Sequence, residues 1–190
     1  MAREPSDAVH VLVPVKAFSR AKLRLATVLS DAERHDLARR MATHVVGIAA
    51  PLPVAVVCDD HEVAAWAEDV GARVLWEPGM GLNGAVASGV ERLRAAGASR
   101  VIVAHADLPH ARSLAGIGEL DGVTLVPDHR DDGTNVVGVP ADGGFRFSYG
   151  PGSFARHCAE VERLGLPLHI VREEGLRHDV DVPSDLTTSA

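Results

Sequence analysis

Four cations fall within nine residues in Lys16-Ala-Phe-Ser-Arg20-Ala-Lys22-Leu-Arg24. A polyphosphate calls for such a set, because several negative charges must meet point charges and forked donors before water is excluded. The segment is not a Walker A loop: GxxxxGK[ST] is absent, and so is GxGxxG. A solvated basic loop is the plainer alternative for a charge cluster. The 190-residue chain holds 17 Arg but only 2 Lys, Lys16 and Lys22, and both lie here in a sequence of net charge −7.

A second constellation is acidic, with Asp107 in His105-Ala-Asp-Leu-Pro109 and the pair Asp179 and Asp181 in His178-Asp-Val-Asp-Val-Pro183. Residues two apart in an extended segment project to one side, so Asp179 and Asp181 with one strand-end Asp would make an all-oxygen site. Such a site suits Mg²⁺, which takes few carboxylates and leaves coordination positions for substrate phosphates. Asp107 as a cap and Asp-Val-Asp as a surface turn remain the plain alternatives. His105, His110 and His178 flank the same aspartates, which leaves a transition-metal hydrolase conceivable, although no HExxH or HxH element supports it.

The third constellation is Gly133-Thr134-Asn135 followed by Gly150-Pro151-Gly152-Ser153-Phe154. A Gly-Pro-Gly turn into a helix with Ser at its start offers backbone N–H groups, a hydroxyl and the positive end of a helix dipole to a phosphate or carboxylate. An ordinary cap at Ser153 is the bland reading.

These residues need elements to hold them. β-branched runs predict buried strands at Val11–Val15, Val54–Cys58, Arg73–Trp76 and Val101–Ala104. Helices alternate with them: one from the capping box Ser30-Asp-Ala-Glu33, one from about His61 to Gly71, and one from the Gly-rich turn Glu77–Asn83 toward Ala96. That alternation predicts parallel pairing. The second half predicts strands at Val123–Val126, Val136–Val139, Phe145–Tyr149 and Leu168–Val171, with a helix at Ser153–Leu164. The expectation is one α/β domain over residues 1–190, Rossmann-like, its mostly parallel central sheet flanked by helices and its ends, 1–9 and 187–190, flexible. Ligands of open α/β sheets gather beyond the carboxyl ends of strands, where Lys16–Arg24, Asp59-Asp60, Glu77–Asn83 and His105–His110 all fall.

Composition narrows the partners. An acidic chain is not built to coat nucleic acid or an anionic membrane. Cys58 and Cys158 are 100 residues apart in no metal or CxxC spacing, which with the absence of an apolar leader at the start points to reduced thiols and a cytoplasmic protein.

Taken together, Lys16-(x)3-Arg20-Ala-Lys22-x-Arg24-Leu25, Gly81-Leu-Asn83, Ala106-Asp-Leu-Pro109, Gly133-Thr-Asn135, Gly150-Pro-Gly-Ser-Phe-Ala-Arg-His157 and Asp179-Val-Asp-x-Pro-x-Asp-Leu186 occur in an order that resembles the guanylyltransferases of coenzyme F-420 biosynthesis, over nearly the whole chain. The resemblance implies a single-domain nucleotidyltransferase fold that joins GTP to a three-carbon phosphoacid and releases diphosphate. It implies Mg²⁺ on Asp107, Asp179 and Asp181, and the acceptor on Thr134, Gly150 and Ser153. Lys16, Arg20, Lys22 and Arg24 would face the GTP phosphates, Lys22 and Arg24 acting with Asp107 in catalysis, and Gly81 and Asn83 would lie near the nucleoside. Phosphoenolpyruvate is the expected acceptor, from an Arg-, Ala- and Gly-rich composition that suggests a GC-rich bacterial source. 2-Phospho-L-lactate or another phosphoacid such as phosphoglycerate is the alternative. Transfer of a different nucleotide, such as CTP to a sugar or polyol phosphate, and a non-catalytic nucleotide-binding subunit are the readings outside the family. Monomer and homodimer both stay open. Two departures from the family pattern stand out: the acidic stretch Asp128-His-Arg-Asp-Asp132, where a small Gly-containing loop is expected, and His105, where a smaller residue or Pro would fit.

Overall fold

A computed structural model describes residues 8–189. Residues 1–7 and 190 of the expected flexible ends lie outside the described residues. Ala8 and Val9 instead open the first strand, and 187–189 continue a 3-10 turn over Pro183–Ser189. The strands are β1 (Ala8–Pro14), β2 (Val54–Cys58), β3 (Arg73–Trp76), β4 (Ala98–Ala104), β5 (Val123–Pro127), β6 (Thr134–Pro140) and β7 (Leu168–Ile170). The α-helices are α1 (Asp31–Ile48), α2 (His61–Asp69), α3 (Gly81–Ala95), α4 (Ser153–Leu164) and the single turn α5 (Glu174–Arg177).

All seven strands form one sheet in the order β3-β2-β1-β4-β6-β5-β7. The first four pair in parallel, as the helix crossovers between them require, while β6 runs antiparallel to both β4 and β5. Alternation along β1 splits the core: Val11 and Val13 pack with Val45 of α1 and Trp66 of α2 on one face, and Leu12 packs with Val86 and Leu93 of α3 on the other. Helix starts follow the capping chemistry read from the sequence. Ser30 and Glu33 exchange both bonds of a capping box, and Asp60 accepts from the Val63 N–H at the start of α2, so that strand-end carboxylate is a cap.

Two local expectations are corrected. Phe145–Tyr149 is not a strand. Its alternation is real, since Phe145, Phe147 and Tyr149 pack on the α3 and α4 face of the sheet. Its amides, however, donate to side chains of the helices: Arg146 N–H to Glu160 Oε1 at 2.9 Å, Ser148 N–H to His157 Nε2 at 2.9 Å and Tyr149 N–H to Asn83 Oδ1 at 2.7 Å. The second concerns α4, whose cap is Gly152 in the left-handed region (φ 71°), so Ser153 is its first helical residue. No described helix is long and apolar enough to cross a membrane.

Candidate active site

The pairing of β4 with β6 sets the site. Because the two strands run antiparallel, with Ala104 opposite Val136, the chain leaving β4 passes the start of β6, and His105 N–H donates to the Asn135 carbonyl at 3.0 Å. Asp107 and Thr134-Asn135 are thereby neighbours. The Asp179–Asp181 segment docks on the same place through Val180 N–H to the Asp107 carbonyl at 3.3 Å. Asn135 fixes it from the other side, its amide donating to the Leu176 and Arg177 carbonyls at 3.1 and 3.0 Å.

The basic segment after β1 folds as two 3-10 turns, Phe18–Arg20 and Leu23–Leu25. Leu25 is fully buried with Met41 of α1 and Val180, a small apolar cluster that ties this segment to the distant aspartates. Between the turns, Lys22 holds a left-handed backbone at φ 54°, uncommon for a non-glycine residue. Its ammonium donates to Asp107 Oδ2 and, at 3.0 Å, to Asp181 Oδ1, with the Lys22 side chain only 10% exposed. Lys16, Arg20 and Arg24 are exposed.

Ligand oxygens of Asp107, Asp179 and Asp181 all lie within 4.8 Å of one another. Among the described residues no histidine joins a metal-holding group of three or more, so the His-based metal site is not formed. Burial opposes the charge on Asp107, but the Lys22 ammonium outweighs it and holds the carboxyl below its usual range. Burial likewise opposes the charge on Lys22, and Asp107 and Asp181 outweigh it, keeping the ammonium protonated. Asp179 lacks such help: burial first, then the charges of Asp107 and Asp181, push it up to about 6. Two observations fit a divalent cation here. Oδ1 of Asp107 is buried without a partner, and a lysine ammonium already bridges two of the carboxylates.

The third constellation forms a neutral cluster. Thr134, Ser153 and His157 are all buried. His157 Nε2 accepts from Ser148 N–H, so its proton sits on Nδ1 and is donated to Thr134 Oγ1 at 3.0 Å. Thr134 and Ser153 hydroxyls are 3.4 Å apart. Burial first, and then the Arg156 charge, push the His157 ring down to about 4, which keeps it neutral. Gly150 is exposed at φ 118° beside this cluster, a conformation open to glycine.

The two residues expected near the nucleoside, Gly81 and Asn83, divide. A Cβ at Gly81 would meet nothing within 4 Å. The Asn83 amide instead clamps the Tyr149 backbone, accepting at 2.7 Å and donating at 3.5 Å. Sequence reasoning missed this clamp, the Asn135 anchor and the His157 bond, because each joins a side chain to backbone or side-chain atoms far away in the chain. Only the motif contexts, Gly-Leu-Asn, Gly-Thr-Asn and the His after Gly-Pro-Gly-Ser, mark them. The acidic stretch 128–132 is a self-capped turn: Asp128 Oδ1 accepts from Arg130 and Asp132 N–H groups at 3.0 and 2.9 Å, and Asp131 pairs with Arg177 at 3.0 Å. His105 Nε2 and Tyr149 Oη are buried without partners, their rings 5.0 Å apart.

The sequence pattern of a family described as "Guanylyl transferase CofC like" matches residues 9–188. A phosphoenolpyruvate guanylyltransferase of Sphaerobacter thermophilus is 36% identical over 185 residues, covering 92% of this chain and 89% of the relative. One of Thermomonospora curvata is 37% identical over 191 residues, covering 93% and 80%. Among solved structures, a candidate nucleotide-diphospho-sugar transferase of Desulfovibrio desulfuricans superposes with a TM-score of 0.79 at 16% identity, covering 96% of this chain and 86% of that one. A nucleotidyl transferase of Methanothermobacter gives 0.64 at 19% identity, covering 96% and 95%. These two share the nucleotidyltransferase fold.

Proposed function

The chain belongs to the CofC-like guanylyl transferase family, and from that premise we propose that it transfers GMP from GTP to phosphoenolpyruvate, giving enolpyruvyl-diphospho-guanosine and diphosphate in coenzyme F-420 biosynthesis. The observation that carries this reading is the meeting of Asp107, Asp179 and Asp181 with Lys22 beside the Thr134 and Gly150 turn, at the carboxyl end of β4.

An oxygen of the acceptor phosphate forms the new bond to the α-phosphorus, while the bond from that phosphorus to the oxygen leading to the β-phosphorus breaks, and its electron pair leaves with diphosphate. Positioning and charge neutralisation are the main tasks, because the acceptor phosphate is already ionised and needs no protein nucleophile. Asp107, Asp179 and Asp181 would hold Mg²⁺, which would reduce repulsion between the two phosphate groups. Lys16, Arg20 and Arg24 face the triphosphate from the mouth of the site, and Lys22 and Arg24 stabilise charge growing on diphosphate. Thr134, Gly150 and Ser153 hold the acceptor, and Gly81 and Asn83 line the nucleoside side, Asn83 by fixing the Tyr149 loop. A cytoplasmic location accords with both substrates.

Incubation with GTP, Mg²⁺ and either phosphoenolpyruvate, 2-phospho-L-lactate or 3-phosphoglycerate, followed by diphosphate release, tests the reading. Phosphoenolpyruvate gives the fastest release. No release with any phosphoacid rejects it, and a faster rate with phospholactate moves the acceptor. Melting with GTP, CTP and ATP checks the base, since the bound nucleotide raises stability.

A further inference from the structure

Lys22 differs from the three cations that precede and follow it. Lys16, Arg20 and Arg24 are exposed, whereas the Lys22 side chain reaches into the carboxylate cluster and is 10% exposed. Its ammonium uses Oδ2 of Asp107 and Oδ1 of Asp181, two members of the group whose oxygens converge within 4.8 Å. A divalent ion held by these carboxylates takes oxygens at about 2.0–2.1 Å. An ammonium hydrogen-bonded to the same carboxylates would then stand within a few ångströms of a doubly charged ion, at a separation where the two repel strongly. The two cations therefore exclude one another. One ammonium balances one of three carboxylate charges, and the Asp107 oxygen left over stays buried without a partner, so the ammonium form is an incomplete substitute for the metal form.

Resting on the metal reading above, we infer that Lys22 sets the affinity of the site for divalent cations: its ammonium occupies the carboxylates in the nucleotide-free protein and must leave before a metal ion enters. A triphosphate supplies the anion that receives it. Lys22 thereby couples the two binding events, so that metal alone binds weakly and metal with nucleotide binds tightly, as expected when one ligand removes the competitor of the other.

The experiment uses Mn²⁺ alone, titrated into the nucleotide-free full-length protein and followed by water-proton relaxation, for wild type, Lys22→Met and Lys22→Gln. Both variants bind Mn²⁺ at least fivefold more tightly than wild type, even though they lose guanylyl transfer. A smaller gain, or weaker binding, in folded variants overturns the inference, with folding checked by melting in the same buffer. Adding Asp107→Asn to Lys22→Met abolishes the gain. Persistence of tight binding in that double variant removes Asp107 as a ligand and overturns the exchange with it, whereas the reaction itself is judged separately by diphosphate release.

Discussion

Two polar clusters adjoin where β4 meets β6, and they respond to burial in opposite ways. The corner of Lys22, Asp107, Asp179 and Asp181 gathers charge and leaves it unbalanced, with one buried carboxylate oxygen unpartnered. The cluster of Thr134, Ser153 and His157 is neutral, and both ring nitrogens of His157 are bonded. In the first arrangement burial and the neighbouring carboxylates push Asp179 up to about 6, a strain that the proposed cation would relieve. The second has nothing left to gain from a change of charge, and its bonds fix the geometry of the turn beside the proposed site.

Asp107→Asn breaks this contrast most sharply. It lowers diphosphate release about 10²- to 10³-fold and destabilises the fold by only about 1–2 kcal/mol, because Lys22 loses the pair that holds the Asp107 carboxyl below its usual range but keeps Asp181 as a partner. His157→Ala does the reverse. It removes a fully buried ring and leaves Thr134 and the Ser148 amide unpaired, destabilising the fold by about 3 kcal/mol, while turnover of the folded fraction stays within about tenfold of wild type. Chemical denaturation alongside diphosphate release separates the two outcomes.

Acid sharpens the same comparison, with opposite signs. Asp179 has a folded value of about 6, above its unfolded one, so its ionised form is a burden above pH 6 that disappears as pH falls through 6 toward 4. Without divalent cations, Asp179→Asn is therefore more stable than wild type at pH 7.5, by up to about 3 kcal/mol, and the advantage vanishes near pH 4. His157 has a folded value of about 4, below its unfolded one, so the stability of its neutral form is full above pH 6.5 and is lost as pH falls from 6.5 through 4. Stability curves against pH for wild type and Asp179→Asn, with the His157 ring followed by NMR, test both signs. The smallest effect expected is that of Lys22→Arg, which keeps the charge but puts a planar fork where a compact ammonium bridges two carboxylates, and slows transfer about tenfold.

Most strands and helices were legible because their signals are local. The β-branched runs of β1 and β2, the Ser30 to Glu33 capping box and the Gly-rich entry to α3 each lie within a few residues. Phe145–Tyr149 was misread because alternation reports burial on one side and says nothing about who accepts the amide protons; here Glu160, His157 and Asn83 do. The four-residue α5 is too short for any period to show. The aspartates, the basic segment and the two glycine turns were legible as residue types, and the structure brings Asp107, Asp179, Asp181 and Lys22 together while leaving Arg20 and Arg24 exposed.

The sequence by itself determined which chemistry was affordable: three carboxylates, a basic segment with both lysines, a Gly-Thr-Asn and a Gly-Pro-Gly-Ser turn, and the alternating pattern that forces a sheet with crossovers. Only the tertiary structure decided that the rarer cation of this arginine-rich chain lies among the carboxylates. Lys22 is 85 residues from Asp107 and 159 from Asp181. No local pattern encodes such a contact; it follows from the burial of Leu25, Met41 and Val180 in one apolar cluster and from the bond between Val180 and Asp107. Hydrophobic burial sets those distances, and the charges must then accommodate one another where the core has placed them.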